Sequence, residues 1–347
     1  MYLFNDSHVH LTNYVQEGPR LEQFVELMGD LVGRATLFGI PLQQEWSYRI
    51  SGAHAPTYYL QTDAPLYYYS FTDAQIAMSY LSLPAAARAR LDPMITGFNP
   101  ADMYGADHIR RVLETFPGVF SGIGEFTIHK EFVSSKLGAD VPTLSDPALA
   151  RILDFAGEVG LLVIIHNDMD TPFPDEGAHP TFLAPMKSLL RRHPRTRIIW
   201  SHIGLGRIIR PVKDHLRIIE GILKDSLYEH VYFDISWDEV AKYLEMTETT
   251  AERSGNRCSN AAERSAVVSR SLSVRHRSGG ADGSPQVHVR LRAVQSVVGV
   301  ARSDDAREGL ERQPPAPVRR GPPAGSCLGA RPRPGAGVWQ TQRPQRA

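Results

Sequence analysis

The first 248 residues of this 347-residue chain contain no cysteine; Cys258 and Cys327 both come later. That excludes a disulfide framework and a cysteine-based zinc site for the larger part of the chain. No apolar run is long enough to cross a bilayer as a helix. After Glu248 a second set of absences begins. From there to the end there is no Lys, Phe, Tyr, Ile or Met, and Trp339 is the only aromatic residue. A stretch so poor in large apolar side chains has little with which to build a core.

Charge divides at the same place. The formal net charge is zero, but residues 1–248 hold 21 basic against 31 acidic side chains, whereas residues 249–347 hold 17 Arg against 7 acidic. The chain therefore reads as an acidic body, 1–248, and a tail, 249–347, rich in Arg, Pro, Gly and Ala. The body begins almost on its first motif with no leader pattern before it, so a cytoplasmic location is the expectation.

What the body does have is alternation. Short apolar, β-branched runs alternate with amphipathic helical patterns, which predicts βα units around a parallel sheet. Strands are expected at Tyr2–Leu11, Ala35–Pro41, Met94–Phe98, Phe120–Ile128, Leu161–His166, Arg197–His202 and Val231–Ile235. Helices are expected at Leu21–Gly33, Ala74–Leu91, Ala106–Phe116, Pro147–Val159, Thr181–Arg192 and Arg210–Asp225. Seven such units predict an α/β fold, a (β/α)8 TIM barrel with its eighth strand missing. A doubly wound sheet would normally carry a Gly-rich turn after its first strand, and a polar histidine pair stands there instead. The long connection from Leu42 to Pro93 carries Tyr58-Tyr59-Leu60 and Tyr67-Tyr68-Tyr69. It reads as a lid over a site or as an extra packed layer.

Chemistry-bearing residues recur at the strand ends. Asp6-Ser7-His8-Val9-His10 sets two imidazoles two residues apart in a strand, hence on one face. Two converging imidazoles suit a divalent transition metal, although such a pair taken alone reads as two ordinary histidines. Further on, Glu125 follows Gly122-Ile123-Gly124, His166 ends Val163-Ile164-Ile165, His202 ends Ile198-Ile199-Trp200-Ser201, and Asp234 ends Val231-Tyr232-Phe233. In a barrel these ends meet at one face, where active sites lie. Four histidines delivered by three strands to one rim are hard to explain as packing. Burying so many titratable groups is costly unless something pairs with them, and a bound cation is the economical partner.

This combination resembles the amidohydrolase superfamily, and most closely its amidohydrolase-related branch of metal-dependent hydrolases and decarboxylases. The resemblance covers residues 2 to about 245. It implies His8, His10 and His166 as metal ligands. His202 then polarises the substrate or binds a second metal. Glu125 stands where binuclear members hold a bridging carboxylate, and it reads equally well as a carboxylate that orients a histidine. Both Glu125 and His202 are candidate catalytic residues. Asp234 and Trp237 are expected in the substrate pocket, and Arg207 as a partner for an anionic substrate group or as a surface arginine. The implied cofactor is a divalent metal ion, zinc above others. The implied reaction is attack of a metal-activated water on a C–N or C–O bond of a small-molecule substrate. Decarboxylation by the same ligands is the alternative. A metal-dependent nuclease is a further one, disfavoured because an acidic body supplies little affinity for nucleic acid. No membrane partner is expected, and assembly as a homo-oligomer stays open.

In such enzymes the catalytic base is an aspartate at the end of the eighth strand, in a segment such as Phe-Gly-Thr/Ser-Asp, and this chain has no such segment. Its tail reads as a disordered basic arm, which would make the protein a non-catalytic binder of polyanions, or as the product of a shifted reading frame. With suitable synonymous codons, Arg270–Ser278 read one base later yields Asp-Arg-Phe-Leu-Phe-Gly-Thr-Asp. Asp282, Asp304 and Asp305 end no apolar strand pattern and are not candidates for the missing base. The expectation is an incomplete barrel with impaired activity, its frame lost between about Glu245 and Asn260.

Overall fold

The structure, a computed structural model, describes residues 4–138 and 140–236, residue 240 and the strand Ala266–Val267. Trp237 and the tail, apart from that strand, lie outside the described residues, as does the expectation of disorder there. The chain forms β1 (Phe4–His10), α1 (Leu21–Met28), β2 (Val32–Phe38), β3 (Leu42–Gln44), α2 (Tyr48–Ser51), β4 (Leu66–Tyr68), α3 (Phe71–Ser82), α4 (Ala85–Arg88) and β5 (Leu91–Ile95). It continues through α5 (Gly105–Thr115), β6 (Gly122–Thr127), α6 (Pro147–Val159), β7 (Leu162–His166), α7 (Leu183–Arg192), β8 (Ile198–Trp200), α8 (His215–Lys224), β9 (Val231–Asp234) and β10 (Ala266–Val267).

All seven expected strands are present, and they pair in the order β1-β2-β5-β6-β7-β8-β9, parallel throughout. The sheet curls like a TIM barrel lacking one strand. The two-residue β10 lies parallel to the outer edge of β9, Val267 opposite Asp234. Among the described residues no ladder joins β1 to β9 or β10. The curl is nonetheless deep, because His8 at the end of β1 reaches Asp234 at the end of β9.

Strand alternation assigns the two faces. Ile95, Ile123, Val163, Ile165, Ile198 and Trp200 face outward into the large core shared with α5, α6 and α7. The residues between them point inward. Phe38, Met94, Leu162, Ile164 and Ile199 form a small apolar plug inside the curl. Val9 packs outward with α1, so His8 and His10 are turned inward above that plug. The edge of Phe38 meets both imidazoles, at centroid distances of 5.1 Å and 4.8 Å.

The tyrosine-bearing connection is a packed layer. β3 and β4 form an antiparallel pair, and Tyr59 is buried in a cluster with Tyr14, Ile40, Leu42, Leu66 and Val133. Lys136 pins it by donating to the carbonyls of Tyr59 and Thr62.

Candidate metal centre

Each site residue is aimed by a local backbone feature. β6 and β7 lose register between Ile123 and Phe126, and such an irregularity re-aims a side chain. Gly124 makes it possible. Its φ is +111°, and a Cβ there would lie 2.1 Å from the Ile164 carbonyl oxygen. Glu125 is thereby turned into the curl, where it is 3 % exposed. β8 ends at Trp200, two residues short of the expected His202. His202 and Ile203 then take left-handed conformations, with φ of 53° and 51°. For a β-branched residue that backbone is strained by about 1–3 kcal/mol. It is over-determined by its surroundings: Asp234 Oδ1 accepts the His202 amide at 2.9 Å, and His215 Nε2 bonds the Ile203 carbonyl at 2.9 Å.

The result is four imidazoles around one buried carboxylate. Glu125 Oε2 lies 3.6 Å from His8 Nε2 and 3.0 Å from His10 Nε2. Glu125 Oε1 lies 2.8 Å from His166 Nδ1 and 3.4 Å from His202 Nε2. The two oxygens therefore serve two different histidine pairs, the arrangement a bridging carboxylate would need. His8 and His10 approach to 3.2 Å through their Nε2 atoms.

The outward nitrogens of three rings are held from behind. His8 Nδ1 is 2.8 Å from Asp234 Oδ2, His166 Nε2 is 3.0 Å from Asp168 Oδ1, and His202 Nδ1 is 3.0 Å from the Ser236 carbonyl. Each acceptor calls for a proton on the nitrogen it faces. In a neutral ring the inward nitrogen then carries a lone pair, the tautomer a metal ligand needs. Three rings and a carboxylate directing lone pairs at one another over 2.8–3.6 Å repel unless positive charge lies between them. The donor set therefore fits a divalent metal ion, and three of its members, His8, Glu125 and His202, offer ligand atoms within 4.8 Å of one another.

Electrostatics show the same need for positive charge, met on the His8 ring by a second proton that a metal ion would displace. Burial works against a charged His8, yet Asp234 and Glu125 beside it carry its pKa up to about 10. Burial would raise Glu125 and Asp234, but His8 and its neighbours hold both well below the usual carboxylate range.

Asp234, expected in the substrate pocket, has both oxygens engaged inside the cluster: Oδ2 with His8, and Oδ1 with the His202 amide and with Ser236. Arg207 is exposed. Its amide donates to Glu131 Oε1 at 3.1 Å and its guanidinium lies 5.8 Å from the Tyr58 ring centre. Three neighbours escaped the sequence reading: Lys130, Glu131 and Asp168. Lys130 carries positive charge toward Glu125, Glu131 and Asp168, which raise its pKa against the effect of burial. Asp168 was open to detection, being two residues beyond His166.

No family model matches the chain, and no curated protein matches it by sequence. Solved structures do resemble it. One is a protein assigned as a 2-pyrone-4,6-dicarboxylic acid hydrolase from Pseudomonas putida, at 12% identity and a TM-score of 0.42 over 77% of this chain and 83% of that one. An amidohydrolase from Burkholderia multivorans with bound zinc gives 12% identity and a TM-score of 0.41 over 72% and 78%. A 5-carboxyvanillate decarboxylase from Sphingomonas paucimobilis gives 18% identity and a TM-score of 0.29 over 50% and 56%.

Proposed function

We propose that this chain is a metal-dependent enzyme of the amidohydrolase type, built to hydrolyse a C–N or C–O bond in a small molecule. The observation that carries this reading is Glu125, buried and within 2.8–3.6 Å of ring nitrogens from four histidines. His8, His10, His166 and Glu125 would hold the ion, with zinc the best match to three imidazoles and a carboxylate. A cation bound there supplies Lewis acidity and brings the pKa of a water toward neutrality.

The chain's own residues supply the rest. His202, oriented by Ser236 and Asp234, presents Nε2 to the reacting region and can take up or return a proton there. Glu125 stays ionised between the two histidine pairs, held so by His8 and its neighbours against the effect of burial. Asp234 fixes the tautomer of His8, and Phe38 keeps water from beneath His8 and His10. Arg207 and Trp237 remain candidates for substrate contact. Decarboxylation of an acid by the same ligands is the second reading.

The site lacks an eighth-strand aspartate among the described residues, and Asp234, with both oxygens engaged, does not replace it. We attribute the loss to a shifted reading frame after the body, which leaves this chain impaired. The test pairs metal analysis with turnover of amide, ester and carboxylate substrates, on this chain and on a version carrying the tail in the alternative frame. Metal retention and turnover are expected in the restored protein, with both lost on His8→Ala or His166→Ala. Equal activity of the two versions would remove the frame argument, and unchanged metal content in the alanine variants would remove the ligand assignment. Salt-dependent nucleic-acid binding without metal, abolished by truncation at Glu248, would instead favour a binding protein.

A further inference from the structure

Behind His166 lies a second group of ligand atoms that the proposed reaction does not use. Asp168 and Glu131 are 2 % and 3 % exposed. Asp168 Oδ2 accepts the Glu131 amide at 2.8 Å, while Oδ1 faces His166 Nε2 at 3.0 Å. Glu131 Oε1 accepts the Arg207 amide at 3.1 Å and is 3.5 Å from the Tyr59 hydroxyl. Glu131 Oε2 is buried and has no hydrogen-bond partner among the described residues. A buried carboxylate oxygen left so is costly.

Gly206 shows where that oxygen points. A Cβ at this glycine would lie 2.2 Å from Glu131 Oε2 and 2.9 Å from Asp168 Oδ1. Both oxygens thus converge on the Gly206 Cα, where an alanine methyl would collide with them. Ligand atoms of Glu131, His166 and Asp168 all lie within 4.8 Å of one another. Charge argues in the same direction. Glu125, Glu131, Asp168 and Asp234 are four buried carboxylates, and Lys130 is the lysine whose charge faces three of them. One cation at the histidine centre leaves the Glu131–Asp168 side in excess negative charge.

We infer that Glu131, Asp168 and His166 Nε2, beside Gly206, form a second cation site distinct from the histidine centre. Two carboxylates with one imidazole suit a harder ion than zinc, of the manganese type. A neutral imidazole has one lone pair, so His166 serves one centre at a time. Committed through Nδ1, it returns a proton to Nε2 for Asp168, and the second site then keeps only its two carboxylates. The two centres therefore compete through a single ring.

The test uses the full chain and Mn²⁺ as probe, counted by electron paramagnetic resonance. In a His8→Ala/His10→Ala background the first centre is disabled and one Mn²⁺ should remain bound. Glu131→Gln or Gly206→Ala added to that background should weaken it by about tenfold or more, the usual cost of losing a metal partner. Gly206→Ala removes no ligand and acts by displacing the two carboxylate oxygens it would collide with. Terbium supplies a second readout that needs no change at His8 or His10. Tyr59 beside Glu131 should sensitise its emission in the unaltered chain, and Gly206→Ala should quench it. A folded double-alanine variant that binds no Mn²⁺, or Mn²⁺ affinity and terbium emission indifferent to Glu131→Gln and Gly206→Ala, overturns the proposal and indicates a protonated Glu131 instead. Failure of the histidine centre is read separately, as zinc content left unchanged when His8→Ala/His10→Ala is made in the version carrying the tail in the alternative frame.

Discussion

Asp234 shows how much one side chain can decide. Its Oδ1 accepts three hydrogen bonds, from the His202 amide and from the amide and hydroxyl of Ser236, while Oδ2 faces His8 Nδ1. An asparagine in its place would keep its carbonyl oxygen on the three donors and turn its amide toward His8. The imidazole must then accept on Nδ1 and carry its proton on Nε2, which points into the site. Asp234→Asn is therefore expected to lower metal affinity by about 10–100-fold without unfolding the chain, as measured by competition against a chelator with circular dichroism as control. Unchanged affinity would mean that His8 takes no part in binding. Gly124 is the second residue of this kind. Gly124→Ala adds a Cβ 2.1 Å from the Ile164 carbonyl at a φ of +111°. It should destabilise the body by about 2 kcal/mol or more through strain and overpacking, as read by urea denaturation.

At the scale of elements, Asp73 ties α3 to the end of β5. Its oxygens accept the Thr96 and Gly97 amides at 2.8 Å and 2.9 Å. Burial raises its pKa to about 7 against the lowering effect of those bonds. The folded chain thus holds this proton where the unfolded chain, titrating near 3.8, has lost it. Stability from this group is greatest at low pH, declines as pH rises from about 4 to about 7, and is level above that. Asp73→Asn should flatten that slope in denaturation curves taken from about pH 4 to about pH 8. A slope unaltered by the substitution would place its origin elsewhere.

Elements also show what the sequence could disclose. α6 was legible at both ends, because Asp146, Pro147 and the left-handed Gly160 are all local signals. The expected helix Ala74–Leu91 proved to be two. α3 begins earlier, at Phe71, and Pro84 separates it from α4. The third barrel strand begins at Leu91 rather than Met94, taking in Pro93, which pairs opposite Leu37. His8, His10, Glu125, His166 and His202 were legible because each follows an apolar run. Lys130 and Glu131 were not. They sit in a charged loop that reads as solvated, and only the fold brings Asp168 and Tyr59 against them.

At the scale of the whole molecule, no full ladder joins the two outer strands of the sheet among the described residues. β10 covers two residues of β9 and brings no carboxylate to the rim. An exposed strand edge invites association with other chains. Restoring the alternative frame is expected to supply a full eighth strand, raise the denaturation midpoint and suppress aggregation, as measured by calorimetry and light scattering. A restored chain no more stable than the present one would argue against a missing strand.

The hydrogen bond from His8 to Asp234 joins positions 226 residues apart. Contacts of such separation carry a large loop-closure cost and form late on a folding path. The site is therefore assembled after the strands between its two halves have found their places. An ion that binds only the closed arrangement would act on the native side of the barrier, lengthening the lifetime of the folded chain while leaving its rate of formation nearly unchanged. Metal would then function as a latch on a completed curl, and its removal would be felt first as faster opening.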